Sequence, residues 1–332
     1  MSIHTKGLLA VAAGNVIFGF SFLFSRLALG IAMPSVLMAL RFTTAFLVMN
    51  IIVLVGGMIR KKDGSRLVEF SLKGKPLKNI FLLALFQPVL YFICETYGIF
   101  YTSASFSGTI IAVIPIAGIV FDVLIMHSQV RRKQVFCAFL SIAGVLVTTL
   151  GAEGMKSSLI GVLFLIGAVC FGALFYVFSK KTSAYYTAIE RTYVMFAIGS
   201  AFFIAFALIQ CKGHYAELLL QPLQEPVVII AVLYLAVVSS VAAFIFQNWG
   251  NNYVTVSEAT LFANLTTVIS IFAGVIFLHE IFTVQQIIGA LAILISVYVA
   301  NVELGGRKRR KQAELAAKAV QTELDDQIKE KE

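Results

Sequence analysis

Three polar side chains, Gln87, Tyr91 and Glu95, recur at four-residue spacing inside an apolar stretch. Residues at positions i, i+4 and i+8 share one face of an α-helix, so we expect all three on one cavity wall. A charge at the centre of a membrane costs about 2.5–3.5 kcal/mol on insertion scales, which makes Glu95 a candidate for binding a cation or carrying a proton. The alternative is that Glu95 lies near the end of its helix and only reaches lipid headgroups.

The stretch that begins at Glu95, ETYGIFYTSAS, has a second copy 152 residues later, QNWGNNYVTVS, which begins at Gln247. Glycine, tyrosine and serine match in one register. Gln247 keeps the hydrogen-bonding capacity of Glu95 but lacks its charge. A single carboxylate in an otherwise repeated pair suits either cation binding or proton transport.

Two further charged residues, Arg41 and Asp122, fall inside other apolar stretches. Arg41 has three alternative roles: neutralising a substrate carboxylate, forming an ion pair with Asp122 or Glu95, or extending toward the membrane surface. Substrate contact and a structural ion pair are both consistent with its position. Asp122 is a weaker candidate for relaying a proton.

Two amides and the single tryptophan complete the candidate binding residues. Asn15 is expected to line the cavity. Asn264 must find a partner inside the membrane, either at the cavity or on a neighbouring helix. Trp249 either stacks on a planar or cationic substrate or belongs to the aromatic belt at the membrane interface.

Prolines and small residues indicate where helices bend or pack closely. Pro88 and Pro115 interrupt helical hydrogen bonding, and the kinks serve either gating or plain packing. Ala292, Ser296 and Ala300 recur at four-residue spacing, which favours close helix packing, either within one protomer or in a dimer.

Composition indicates an all-α, polytopic membrane protein. Of 332 residues, 59% are hydrophobic and 13% are charged, whereas soluble domains are about half apolar and about a quarter charged. Apolar stretches near the length that crosses a hydrocarbon core of about 30 Å recur along the chain. The ten predicted spans are 7–28, 34–57, 77–99, 103–127, 134–151, 158–179, 188–210, 227–247, 256–278 and 284–303.

Lysine and arginine accumulate in cytoplasmic loops, and here they cluster in the 58–78 loop, after spans 4 and 6, and in the tail. We therefore expect a plasma-membrane protein with both termini in the cytoplasm and a charged cytoplasmic tail at 304–332. Glu190 and Arg191 are expected to be solvated at the cytoplasmic end of span 7. The basic residues indicate contact with membrane lipids and no nucleic-acid partner.

The 152-residue offset divides the chain into two halves of five spans, 7–151 and 158–303. An odd number of spans inverts the second half relative to the first. Inverted repeats are common in secondary transporters, where substrate sites lie near the midplane between the halves. The fold class expected is therefore ten transmembrane helices as two inverted five-helix repeats.

Motifs in four spans resemble those of the drug/metabolite transporter superfamily, EamA branch. NVIFGFSFLFSRLA is similar to its first-span motif, with Phe18 in place of the usual tryptophan. PSVLMALRFTTAFLV is similar to the second span, with Arg41 at the usual arginine, and the fourth span has Pro115 at the usual proline.

The stretch FLHEIFTVQQIIGALAILISVYV resembles the signature that joins spans 9 and 10, with Glu280, Gln286 and Gly289 in place. The first half departs from that signature, since Ser128 and Cys137 stand where glutamate and glycine are usual. The resemblance covers about residues 7–303. It implies a carrier of small solutes, with substrates that range over amino acids, nucleobases, quaternary amines and drugs.

We predict a secondary transporter that works by alternating access on a small metabolite, such as an amino acid, an amine or a drug-like solute. No cofactor, metal site or catalytic residue is expected, a proton is a candidate coupling ion, and the protein is a monomer or a homodimer. An intramembrane enzyme is the first alternative, but it would need paired aspartates or an HExxH motif. A channel, which needs a ring of like polar residues, is the second.

Overall fold

The protein is described by a computed structural model over residues 2–60, 68, 70–126, 132–150, 159–182, 185–250, 253, 256–296 and 298–299. The described residues form helices and no strands. In chain order the helices are α1 (Ile3–Leu29), α2 (Pro34–Met58), α3 (Leu77–Ala84), α4 (Tyr91–Tyr101), α5 (Ala104–Ile111), α6 (Ile114–Met126), α7 (Arg132–Leu150), α8 (Leu159–Thr182), α9 (Ala188–Cys211), α10 (Pro226–Leu233), α11 (Ala243–Gly250), α12 (Val256–Leu278) and α13 (Val284–Ser296). The predicted tail, 304–332, lies outside the described residues.

Six described stretches are long and apolar enough to cross a membrane: Ile3–Leu29, Pro34–Met58, Leu77–Tyr101, Leu159–Ser179, Ala188–Cys211 and Pro226–Gln247. Four shorter apolar helices, Ala104–Gly118, Phe136–Thr148, Leu265–Leu278 and Val284–Ser296, fall within the remaining predicted spans. Large apolar side chains such as Leu54 and Phe139 are exposed on their outer faces. The prediction of a helical, multi-pass membrane protein is confirmed, and the ten crossings remain a prediction.

Two of the long stretches are interrupted midway, the first by a kink and the second by a π-helical segment. Leu85–Leu90 separates α3 from α4, and Tyr234–Ala242 separates α10 from α11. Gln87 has an extended backbone, with φ −143° and ψ 120°, directly before Pro88. Proline has no N–H to continue the ladder, so the helix bends where the predicted cavity residues lie.

Helices of the first half pack against helices of the second half at glycines that allow close approach. A Cβ at Gly19 of α1 would lie 2.5 Å from the Ile269 side chain of α12. A Cβ at Gly172 of α8 would lie 2.8 Å from Ile114 at the start of α6. These contacts hold α1 and α8 close to the centre of the protein, where both helices help to form the cavity.

Small residues also join α7 to α13. Ser141 and Ser296 hydrogen bond to each other, and a Cβ at Gly144 would lie 2.9 Å from the Gly289 carbonyl oxygen. The small residues of this helix were predicted to pack either within one protomer or in a dimer. Ser296 therefore packs within the protomer.

Glu190 is buried, and the prediction that it is solvated was wrong. Its exposed fraction is 2%, and its carboxylate accepts hydrogen bonds from Lys75 Nζ at 2.6 Å and from the Ser71 N–H at 2.9 Å. It also completes a capping box with Thr187 at the start of α9. This carboxylate therefore fixes the segment before α3 to the beginning of α9.

Glu280, in the connection between α12 and α13, makes a comparable link at the start of α5. Its two carboxylate oxygens accept the N–H groups of Ala104 at 2.7 Å and of Ser105 at 2.9 Å. A carboxylate at a helix N-terminus satisfies free N–H groups and opposes the positive end of the helix dipole. The signature glutamate is thus a link between the two halves of the chain.

Candidate functional site

A cavity of about 290 Å³ lies between the two halves of the chain. Its walls come from α1, α2, the bent α3–α4 stretch, α5, α6, α8, α9, α11 and α12. This volume is close to the lower end of small-molecule pockets, which start at about 300 Å³. The cavity therefore suits a ligand of about amino-acid size.

Glu95 lies in the wall of this cavity and is 7% exposed. The Tyr91 hydroxyl donates to its Oε1 at 2.8 Å, one helical turn away. Within the described part of the chain, its other oxygen, Oε2, has no hydrogen-bond donor. The burial of the side chain is inconsistent with the alternative in which it reaches lipid headgroups.

Arg41 faces the same cavity from α2 and is 5% exposed. Its Nε donates to Ser240 Oγ at 3.1 Å and its Nη2 to Ser239 Oγ at 3.5 Å. The guanidinium carbon lies 4.4 Å from the centre of the Phe92 ring, a cation–π contact. Arg41 is therefore held inside the protein and does not extend toward the membrane surface.

The Arg41 and Glu95 charges attract each other across the cavity, but each is held by neutral partners. Among the described residues neither side chain forms an ion pair. Two buried opposite charges that are not joined directly leave room for a ligand that offers both a carboxylate and an ammonium group.

The remaining polar wall is made of amides and hydroxyls. Gln87 lines the cavity and is 9% exposed. Asn15 donates from Nδ2 to Gln247 Oε1 at 3.3 Å and accepts from Thr266 Oγ1 at 3.1 Å. The repeat partner of Glu95, Gln247, therefore faces the same cavity from the other half.

Trp249 does not line this cavity. Its side chain is 40% exposed, and its ring lies 5.0 Å from that of Tyr253. The position disagrees with the predicted stacking wall and fits the alternative of an interfacial aromatic residue. Tryptophan and glutamine side chains two positions apart point to different sides of a helix, which separates Trp249 from Gln247.

The other predicted site residues divide into two groups. Pro115 lines the cavity near the start of α6, and Pro88 follows Gln87 in the bend of the α3–α4 stretch. The gating role of both prolines remains a prediction. The side chains of Asn264 and Asp122 lie outside the described residues.

Three residues that contribute to the site were not predicted from the sequence: Ser239, Ser240 and Arg191. Ser239 and Ser240 lie in the π-helical segment Tyr234–Ala242, so α-helical periodicity from Gln247 does not identify them. Arg191 was expected in solvent, but it lines the cavity and donates from Nη1 to the Ser179 carbonyl oxygen at 3.1 Å and hydroxyl at 2.8 Å.

Comparison with known proteins identifies relatives along the whole membrane region. The model of the EamA-like transporter family matches residues 5–150 and, separately, 159–302. YcxC, an uncharacterized transporter of Bacillus subtilis, is 30% identical over 311 residues, which cover 92% of this chain and 96% of that protein. An uncharacterized transporter of Archaeoglobus fulgidus is 20% identical over 294 residues, 89% of this chain and 98% of its own.

A protein of known crystal structure superimposes with a TM-score of 0.57, covering 92% of this chain and 98% of its own. Its sequence is 18% identical, so the likeness shows a shared fold alone. These comparisons confirm the resemblance predicted from the four motifs.

Proposed function

Because this chain belongs to the EamA-like transporter family, we propose that it is a secondary carrier for a small zwitterionic metabolite of about amino-acid size. The observation that carries the proposal is the placement of Arg41 and Glu95 in one cavity, each buried and neither ion-paired with the other. The carboxylate of the substrate binds Arg41, and its ammonium group binds Oε2 of Glu95.

Charge matching favours a zwitterion over singly charged ligands. An amine neutralises Glu95 and leaves Arg41 buried without a counter-ion, and a monocarboxylate does the reverse. Removing one partner of a buried charge pair typically costs about 3–5 kcal/mol, so a ligand with both charges is favoured. A proton bound to Glu95 neutralises its charge as an ammonium group does. A proton is therefore the coupling ion that would allow a substrate with only a carboxylate to bind at Arg41.

Alternating access is supported by how the cavity and the two halves are arranged. The cavity extends from Glu95 to Ser179 and Ala188, at the ends of α8 and α9. Toward the opposite side, Arg26 donates to the carbonyl oxygens of Ile99 and Phe100, beyond the end of the cavity. With the orientation predicted from the basic loops, this arrangement is an inward-facing state in the plasma membrane, with both termini cytoplasmic.

The inverted repeat is supported by equivalent packing contacts in the two halves. The repeat offset is 153 residues in the first span, one more than the 152 that follows, so Gly19 and Gly172 are repeat partners. Each contacts the opposite half: Gly19 contacts Ile269 and Thr266, and Gly172 contacts Ile114, the repeat partner of Thr266. The family model also matches each half separately. Halves related in this way can exchange inward-facing and outward-facing conformations by rocking.

Thermal unfolding of the purified protein tests the charge match. The L-amino acids with uncharged side chains, their decarboxylated amines and their deaminated carboxylates are compared at equal concentration, because a ligand that binds only the folded state raises its stability. We expect stabilisation by one or more amino acids and by neither singly charged analogue. Stabilisation by amines alone, by carboxylates alone, or by none of the three series would contradict the zwitterion proposal.

Counterflow in proteoliposomes separates the carrier from the alternatives. A ¹⁴C-labelled mixture of the twenty L-amino acids should accumulate transiently in vesicles preloaded with the unlabelled mixture, and the rate should saturate. Uptake without saturation indicates a channel, and a chemically changed product indicates an enzyme.

A further inference from the structure

We propose that Arg191 forms a second carboxylate-binding site at the α8–α9 end of the cavity, where the substrate binds before it reaches Arg41. The proposal rests on the proposed function, because it concerns the same zwitterionic substrate. It adds a recruiting position to the deep site formed by Arg41 and Glu95.

The Arg191 guanidinium is fixed by hydrogen bonds at one nitrogen, and the side chain lines the cavity. Its Nη1 donates to the carbonyl and hydroxyl oxygens of Ser179, and both side chains line the cavity. Its Nε is buried and has no hydrogen-bond partner among the described residues. A guanidinium fixed by one nitrogen keeps further donors in a planar array, which matches the two oxygens of a carboxylate.

The positive charge of Arg191 is not neutralised by its neighbour in sequence. The Glu190 carboxylate binds Lys75 and the N–H groups of Ser71 and Thr187, away from the cavity. In the described part of the chain no carboxylate forms an ion pair with Arg191. The described cavity wall therefore carries two arginines and one glutamate, an excess of positive charge that attracts a carboxylate.

The two arginines extend into the cavity from different levels. In α2, Thr43 forms a hydrogen bond with Ser200 of α9, and Asn50 accepts one from Tyr193 of α9. Residue numbers rise along α2 while those of their partners fall along α9, so the two helices run antiparallel. Arg41 lies two residues before Thr43 in α2, and Arg191 lies nine residues before Ser200 in α9. Because the helices are antiparallel, these displacements from the Thr43–Ser200 contact run in opposite directions and together amount to about eleven residues. At about 1.5 Å per residue their Cα levels differ by roughly 16 Å. The sites are therefore occupied in sequence.

A cation at the partly solvated end of a cavity suits recruitment rather than tight binding. Such a charge pair contributes little affinity, but it raises the local concentration of the oppositely charged ligand and its association rate. A zwitterion attracted by its carboxylate can then leave Arg191 for the deeper site, where Glu95 also binds its ammonium group.

The test compares Arg191→Gln, Arg191→Lys and a matched control, Arg26→Gln. Arg26 also donates to carbonyl oxygens near a helix end, but it lies outside the cavity. Initial transport of the ¹⁴C-labelled amino-acid mixture at low concentration is measured from each face of oriented vesicles. We expect Arg191→Gln to lower the rate about fivefold from the face at which α9 begins and to leave the opposite face within twofold. Arg191→Lys should retain most of the rate, and Arg26→Gln should not lower the rate selectively from the face at which α9 begins.

Ionic strength gives a readout that a purely structural role would not affect. Raising the salt concentration screens the recruiting charge, so the wild-type rate from the α9 face should fall and the Arg191→Gln rate should not. Equal losses from both faces, or the same salt dependence in both proteins, would show that Arg191 only caps α8. Arg41→Gln separates the two proposals: if it transports normally the deep site is refuted, whereas a normal Arg191→Gln refutes only the second site.

Discussion

Replacing Glu95 with glutamine removes the charge of the deep site with little change to its shape. Glutamine retains an Oε1 that can accept the Tyr91 hydroxyl, which now donates to Glu95 at 2.8 Å. The variant also reproduces the residue of the second half, Gln247. The change is therefore confined to the oxygen, Oε2, that is free to bind a ligand.

The expected loss of affinity follows from the charged contact. A hydrogen bond to a charged group contributes about 1.5–3 kcal/mol, and each 1.4 kcal/mol corresponds to about a tenfold change in affinity. If Glu95 binds the ammonium group of a zwitterion, Glu95→Gln should weaken amino-acid binding by roughly ten- to hundredfold. The loss should reach the upper part of this range because the side chain is 7% exposed.

Exchange and proton-driven uptake, measured on the same vesicles, distinguish the two roles of Glu95. Loss of both indicates that the carboxylate binds the substrate. Loss of proton-driven uptake with normal exchange indicates that it carries the coupling proton. Wild-type values in both assays would refute a functional role for Glu95, and an unchanged unfolding temperature is the control for folding.

Three further predictions concern the elements around the site. Glu190→Ala should lower the free energy of unfolding by about 2–4 kcal/mol, because Lys75 and two N–H groups lose a buried acceptor; an unchanged thermal unfolding curve would contradict this. Gly19→Ala should destabilise the protein, because the added Cβ would lie 2.5 Å from the Ile269 side chain. Gly57→Ala is the control that should be tolerated, because no atom lies within 4 Å of the added Cβ. Equal unfolding temperatures for the two variants would refute the close contact. A cysteine placed beside Lys212 should be labelled from outside the cell and one beside Lys73 should not, and the reverse pattern would overturn the orientation.

The spans were predictable because burial in lipid imposes a length and a composition that can be read locally. The span predicted at 188–210 corresponds to α9, Ala188–Cys211, and that at 34–57 corresponds to α2, Pro34–Met58. All three of Gln87, Tyr91 and Glu95 line the cavity, as predicted. Helical spacing accounts for Tyr91 and Glu95 only, because Gln87 has an extended backbone, so the prediction that it shares their helical face was wrong. The bend at Gln87 leaves Tyr91 and Glu95 on one continuous helix.

The environment of the residues at span ends was not predictable in the same way. Position in the chain indicates that Glu190 and Arg191 lie near a membrane surface, and there solvation is the usual outcome. Their partners are set by tertiary structure: Lys75 lies more than a hundred residues from Glu190, and Ser179 belongs to the preceding helix. Hydropathy indicates that a charged side chain lies near the membrane surface, but it does not indicate which neighbouring residue binds that side chain.

The unequal charges of the two halves suit a carrier in which the halves are related as inverted repeats. Arg41 and Glu95 both belong to the first half. The second half has Tyr193 or Val194 at the position equivalent to Arg41 and Gln247 at the position equivalent to Glu95, and all of these are uncharged. At the deep site the second half contributes neutral donors and acceptors, such as the Ser240 hydroxyl that binds Arg41, and its charged residue Arg191 lies at the other end of the cavity. Both charged contacts can therefore stay with the substrate while the second half moves past it. Alternating access then changes mainly neutral hydrogen bonds, which contribute less free energy than charged ones and so allow the two states to be close in energy.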